Sequence, residues 1–440
     1  MKTSFQKFLS AGLLLLITYS SKAQIVFANL DSLLSYARSK SITIQTGHIK
    51  LDQAKKAKLA AVLSIPDVTG NASLSYTHNT RLPVSLFPAE VFGGQPGTFR
   101  EVQTGIPYNT NFNENIDVKL LNLKGWENLK LSKLNIESSV SDNKITLKSL
   151  EENIAATYYN IVNLQEQLIS TNKNLEAADT LLKITENKYA AGIAKQQDVN
   201  DAKVNYLTTK ENSKQIEYLL AQQYLSLKIL CDFPEQDSIT ITEQLLAAPN
   251  YTMPVITENN VAVTNSFLKE KVAFSNYKVQ KNALYPTLSF FQSYTNQQFN
   301  TSSKFLDKSV SWIPSSYIGL RLSIPLPNAN TISQVSKTRY DYLLAQKNTE
   351  QQKIKAGLEI KQLSVDYAKA VSQAKANNEI YKLRKETYEK NLNLYSEGLM
   401  SLEQTLNSFN TMVSSHYNLI SSRITVLAAK AKIDINNHIK

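Results

Sequence analysis

Two long stretches of this chain have been almost cleared of helix breakers. Residues 126–233 and 328–440 make up half of its 440 residues, yet hold only Gly192, Gly357 and Gly398 out of 24 glycines and prolines. Proline removes a backbone donor and clashes with the preceding turn, and glycine costs about 1 kcal/mol in a helix interior. A sequence that avoids both over such distances predicts long helices. Each stretch also carries an apolar stripe. Leu147, Leu150, Ile154, Tyr158, Ile161, Leu164, Leu168, Leu175, Leu182 and Tyr189 follow a three/four spacing. So do Leu402, Leu406, Phe409, Val413, Tyr417, Ile420, Ile424, Leu427 and Ala431. These are coiled-coil-like seams. Trp126 to Ala191 would span about 100 Å as one helix at about 1.5 Å per residue, wider than a compact globular domain.

The chain repeats itself. Tyr189-Ala-Ala-Gly192-Ile193 and Tyr395-Ser-Glu-Gly398-Leu399 interrupt the helical pattern at equivalent places. Two Pro-led segments of strand character also correspond, one from Pro66 to Tyr76 and one from Pro286 to Tyr294. A second candidate strand follows in each half, at Ile116–Leu123 and Tyr317–Ile324. Both halves read helix, strand, loop, strand, long helix, Gly turn, long helix. Their spacings agree except for extra length in the first inter-strand loop, which is the mark of an internal duplication.

The strands alternate. Val68, Gly70, Ala72, Leu74 and Tyr76 interleave with Thr69, Asn71, Ser73 and Ser75; Ile318, Leu320, Leu322 and Ile324 interleave with Gly319, Arg321 and Ser323. Segments of about ten residues, apolar on one face and polar on the other, are what an outer-membrane barrel strand needs. Loop 77–115 holds eight glycines and prolines, which suits an extracellular loop. Tyr76, Tyr294, Trp312 and Tyr317 stand at segment ends, where interfacial aromatics belong. Four strands cannot close a barrel, for which about eight is the practical minimum, and open edges are not tolerated in lipid. Strands that span a membrane here require several copies of the chain.

Composition narrows the rest. Hydrophobic residues at 42% with 19% charged exclude a polytopic helical membrane protein. At the N-terminus, Lys2 and Lys7 precede an apolar run from Phe8 to Ile17 and a Ser21-Lys22-Ala23 site, predicting a signal peptide over 1–23. No cysteine follows that site, so no lipid-anchored cysteine is expected. Cys231, the single cysteine, reads as a buried apolar thiol. The net charge of +11 is spread along helices among Asp and Glu, which predicts solvated faces and no nucleic-acid partner. His48, His78, His416 and His438 lack ligand spacing, and Met253, Met400 and Met412 form no cluster. With no phosphate loop or nucleophile elbow either, the expectation is no enzyme, no metal and no cofactor.

The duplicated Pro-led strand, second strand, long helix and Tyr-x-x-Gly-Leu/Ile hairpin resembles the TolC family of outer-membrane efflux proteins over roughly residues 28–435. The resemblance implies a mainly α fold with membrane β: helical hairpins forming a periplasmic α-barrel, and four strands per chain entering a trimeric, 12-stranded outer-membrane β-barrel. On that plan residues 24–233 are the first repeat, with strands about 66–77 and 116–123 and helices 126–190 and 193–232. Residues 234–440 are the second, with strands about 286–294 and 317–324 and helices 328–396 and 399–436. Segment 234–265, with Pro249–Pro254 separating the halves, and the C-terminal tail would form an equatorial collar. The implied function is a homotrimeric exit duct for a tripartite efflux pump or type I secretion system, working with a periplasmic adaptor and an inner-membrane pump.

The same resemblance assigns the two turns. Tyr189, Gly192, Ile193, Gly398 and Leu399 fall at the tips that meet the adaptor. Family members carry carboxylates six and nine residues after the second glycine; this chain has Gln404 and Asn407 there, and Asp198 and Asp201 at the same offsets from Gly192. Asp198 matches an aspartate that accepts a closing hydrogen bond from a tyrosine matching Tyr395. Met400 stands where the family latch has an arginine. The alternative from another class is a periplasmic coiled-coil scaffold or adaptor whose strands form a soluble hairpin domain.

Overall fold

The computed structural model describes residues 24–243, 251–258 and 261–439. The signal-peptide reading, Pro249, and residues 244–250 and 259–260 of the collar reading lie outside them. The chain divides into two compact units, each drawing on both sequence halves. One comprises residues up to Ile49, Ser141–Thr264 and Gln351 onward; the other comprises Lys50–Val140 and Asn265–Glu350.

In chain order the helices are α1 (Leu30–Lys40), α2 (Ile42–Leu63), α3 (Leu123–Ala190), α4 (Gln196–Cys231), α5 (Val261–Asn282), α6 (Ala329–Ser396) and α7 (Leu402–His438). The strands are β1 (Gln24–Phe27), β2 (Thr69–His78), β3 (Val84–Pro88), β4 (Phe99–Gln103), β5 (Tyr108–Leu121), β6 (Ser238–Ile241), β7 (Thr287–Asn300) and β8 (Ile313–Ser323). Helices α3 and α6 each run 68 residues without a break.

The first unit is helical and holds the buried apolar clusters found among the described residues. Leu150, Ile154, Tyr158 and Ile161 of the α3 seam pack with Leu33 of α1, Leu227 and Cys231 of α4, and Ile424 and Ile435 of α7. The Cys231 side chain is fully buried, and burial pushes its thiol pKa up to about 12. In segment 234–265, β6 pairs in parallel with β1.

The second unit holds a four-stranded antiparallel sheet in the order β2-β5-β7-β8. Its central contact joins β5 of the first half to β7 of the second; β2 and β8 are its edges. Directly paired residues share a face. The register therefore sorts the side chains, as in the rows Pro314–Asn296–Phe112–Leu74 and Ile318–Gln292–Ile116–Gly70. Leu320, Phe290 and Val118 extend the same face, whose polar members include Glu114, Gln292, Asn296 and Ser316. The opposite face carries rows such as Tyr317–Ser293–Asn115–Asn71 and Ser315–Thr295–Asn113–Ser73. There Thr295 donates to the Asn113 side chain at 3.0 Å, and Arg321 stands over the Phe291 ring at 4.4 Å.

Burial in this sheet is inverted relative to a water-soluble one. Its buried positions are all polar: Ser289 and Ser293 on the polar face, and Thr110, Gln298 and Asn300 at one end of the other face, where Gln298 Nε2 donates to the Val310 carbonyl of the 301–312 loop at 2.8 Å. Leu74, Ile318, Leu320 and Leu322 are each more than half exposed. A soluble sheet hides its apolar face. This one presents it.

Several boundaries differ from the sequence reading. The strand expected at 116–123 begins at Tyr108, and the one expected at 286–294 runs on to Asn300. Both extensions are Asn-, Thr- and Gln-rich, and alternation is invisible when both faces are polar. The strand expected at 317–324 spans Ile313–Ser323, and the one at 66–77 starts at Thr69, after a turn in which Asp67 has φ +37°. Loop 77–115 is not structureless: it contains the antiparallel β3–β4 hairpin and one 3₁₀ turn at Ala89–Phe92. The returning helices expected at 193–232 and 399–436 start three residues later, at Gln196 and Leu402, because the intervening residues complete the turns.

Candidate functional site

The two Tyr-x-x-Gly segments fold identically. At the end of α3, Gly192 N–H donates to the Tyr189 carbonyl at 2.9 Å and Ile193 N–H to the Lys188 carbonyl at 2.8 Å. At the end of α6, Gly398 N–H donates to the Tyr395 carbonyl at 3.1 Å and Leu399 N–H to the Leu394 carbonyl at 2.8 Å. This pair of bonds is the Schellman motif, which needs a left-handed residue after the helix. Gly192 has φ +75° and Gly398 φ +84°, a region open to glycine at no steric cost. Ile193 and Leu399 follow with about 70% of their surface exposed.

The helices that start after these turns are capped by opposite halves of one device. In the first turn Asp198, three residues after Lys195, accepts from the Lys195 backbone N–H at 2.8 Å. In the second, the Ser401 side chain accepts from the Gln404 backbone N–H at 3.3 Å. A full capping box uses both bonds; each turn here uses one. That accounts locally for a carboxylate at Asp198 and an amide at Gln404, since Ser401 does the capping in the second turn. Gln404, Asn407 and Asp201 are exposed.

All four helix ends meet in one apolar cluster, formed by Leu181 of α3, Ala202 of α4, Tyr395 of α6 and Leu402 of α7. Met400 packs against it. Tyr395 is 5% exposed. Its hydroxyl hydrogen-bonds the Thr185 hydroxyl at 3.0 Å, and the Lys188 ammonium stands 5.0 Å from its ring centroid. Burial raises the Tyr395 pKa, the Thr185 bond offsets part of the rise, and the Asp198 charge adds to it.

The direct Asp198–Tyr395 hydrogen bond expected from the sequence is not made within the chain. Asp198 is near enough to act on Tyr395 through its charge, but its carboxylate is engaged in the helix cap and the tyrosine has found Thr185. The structure thus brings Asp198 and Tyr395 into one neighbourhood, while Asp201, Gln404 and Asn407 stand on exposed helix surface near the turns. Thr185, Lys188 and Ser401 were missed. No sequence signal points to Thr185, whose partner lies on another helix.

Farther along the same helices lies a half-buried histidine. His416 Nδ1 is 2.6 Å from the Ser170 hydroxyl and its ring stacks on Tyr381 with centroids 4.2 Å apart. Burial, and then the charges of Arg423, Lys173 and Lys385, lower its pKa to about 4.

Comparison with known proteins agrees with this architecture. The toxin and drug export protein A of Aggregatibacter actinomycetemcomitans is 25% identical over 226 residues, 49% of this chain and 47% of that protein; the matched region spans about half the length of each. Among solved structures, the outer membrane protein VceC of Vibrio cholerae superposes with a TM-score of 0.72 at 14% identity, covering 92% of this chain and 94% of that one. The CmeC outer membrane channel of Campylobacter jejuni gives 0.75 at 16%, covering 92% and 85%. The model of the outer membrane efflux protein family matches residues 33–231 and 254–433, one block in each repeat. With both halves matched across most of its length, this chain belongs to the outer membrane efflux protein family.

Proposed function

We propose that the protein is the outer-membrane exit duct of a tripartite efflux pump or type I secretion system. Three copies contribute four strands each to a 12-stranded barrel. The observation that carries this reading is the sheet β2-β5-β7-β8, which combines an outward apolar face, a polar opposite face and two unpaired edges. An open edge leaves backbone donors and acceptors without partners in hydrocarbon, at several kcal/mol for each group. Pairing β8 of one copy with β2 of the next removes every edge. The polar face, with its Asn, Ser and Thr rows, then lines the pore.

Transport on this reading is passive. An inner-membrane pump supplies the energy through a periplasmic adaptor, which meets the exposed tips at Tyr189, Gly192, Ile193, Gly398 and Leu399. Asp198, Asp201, Tyr395, Gln404 and Asn407 form the periplasmic entrance. Contacts of about 1 kcal/mol each, such as the Tyr395–Thr185 bond, hold the inner helices closed and still yield to a partner's binding energy. The protein makes and breaks no bond in its cargo. The test is the mass of the detergent-extracted protein from outer membranes, measured by light scattering. Three chains per particle is the expected result; a monomer or dimer recovered without detergent would overturn the reading.

A further inference from the structure

An open cleft of about 570 Å³ lies in the helical unit between α1, α3 and α7, with Glu243 beyond the end of β6 at its margin. Four carboxylates line it: Asp31, Glu151, Glu243 and Asp434. Arg38 and Lys430 are the only lysine or arginine side chains among its lining residues. With His438 neutral, the lining carries two more negative charges than positive.

Glu151 is the unusual member. Its side chain is 1% exposed. One carboxylate oxygen accepts from Arg38 Nε at 2.5 Å; the other, Oε2, has no hydrogen-bond partner. Buried carboxylate oxygens are almost always bonded, and an orphan calls for an explanation such as a missing ligand. Tyr159 brings a hydroxyl to the same space. Its pKa is raised by burial and then by Glu243, Asp31 and Asp434, so three carboxylates from three parts of the chain act on one point. Glu243 is itself partly satisfied by the Tyr158 hydroxyl.

From the orphan Glu151 oxygen in a cleft of excess negative charge, we infer that this is a binding site for a small organic cation carrying more than one ammonium group, such as an aliphatic diamine or polyamine. An ammonium donates three hydrogen bonds and accepts none, which complements carboxylate oxygens and opposes any anion. No group of three His, Cys, Asp or Glu side chains close enough to hold a metal ion occurs among the described residues. The four carboxylates line one cleft without forming such a group, which suits amines on a flexible chain better than one compact divalent ion. All the residues belong to a single chain, so the site is independent of the duct reading and survives its failure.

The test is isothermal titration of the full-length detergent-solubilised protein with spermidine and putrescine, with magnesium chloride and tetramethylammonium as comparisons. The expected result is saturable binding of the amines that magnesium at equal concentration does not displace, weakened at least tenfold in both Glu151→Gln and the Asp31→Asn/Asp434→Asn double variant. The double variant leaves the Arg38–Glu151 pair intact, so a folding defect in Glu151→Gln does not decide the outcome. Absence of saturable amine binding, displacement by magnesium at equal concentration, or unchanged affinity in the double variant would each overturn the inference.

Discussion

At the scale of single residues, the turn cluster is sensitive because its polar groups are buried in pairs. Thr185→Val leaves the Tyr395 hydroxyl buried without its partner, and such an orphan costs about 1–3 kcal/mol, whereas removing both partners is nearly neutral. Thermal unfolding of the detergent-solubilised protein should show a clear loss for Thr185→Val and recovery of part of it on adding Tyr395→Phe. Simple additivity of the two changes would show that the hydroxyls do not interact. His416 gives a pH dependence of known sign. Its folded pKa of about 4 lies below the usual 6.5, so the unfolded chain binds the proton first as pH falls. The stability its neutral form contributes is complete above about pH 6.5 and is lost as pH drops toward 4. His416→Gln should flatten the unfolding midpoint across that window. The repeat marked the turn that contains Tyr395, and the family resemblance singled out the residue itself. Its partner was not legible, since Thr185 is one of many helical threonines and only the packing of α3 against α6 selects it.

At the scale of elements, the strands were legible where one face is apolar and illegible where both are polar. Leu320 and Leu322 announced β8; Asn109, Thr110, Asn111 and Asn113 of β5 announced nothing, although the same ladder continues through them. The long helices were plain because missing breakers are a signal that tertiary context does not erase. Their starts were misplaced by three residues because a Schellman turn and a cap occupy Ile193–Lys195 and Leu399–Ser401, and those residues are not helix breakers. The strand face itself can be tested. Leu320 is exposed on the apolar face, and an arginine facing lipid near the midplane costs about 2–4 kcal/mol. Leu320→Arg should reduce the heat-modifiable oligomer in outer-membrane extracts, while Asn113→Ser on the opposite face should leave it unchanged. Normal assembly of Leu320→Arg would reverse the assignment of the faces.

At the scale of the whole molecule, the duplication does more than double the elements. It places an exposed apolar residue after each turn glycine, Ile193 and Leu399, as a pair of adaptor contacts would require. Replacing both by Asp should abolish pump-dependent export in cells while leaving the oligomer and its single-channel conductance intact. Loss of the oligomer itself would make these residues structural.

The order β2-β5-β7-β8 also sets a clock on biogenesis. Strand β5 ends at Leu121 and its partner β7 begins at Thr287, so the centre of the sheet joins segments more than a hundred and fifty residues apart. Such distant pairing is intrinsically slow to form and leaves strands open to aggregation meanwhile. On the exit-duct reading, β2 and β5 are made and exported before β7 and have only each other to pair with meanwhile. That reading therefore predicts a dependence on a holding chaperone, and predicts that a chain ending at Asn282 is degraded; normal accumulation of that fragment would count against it.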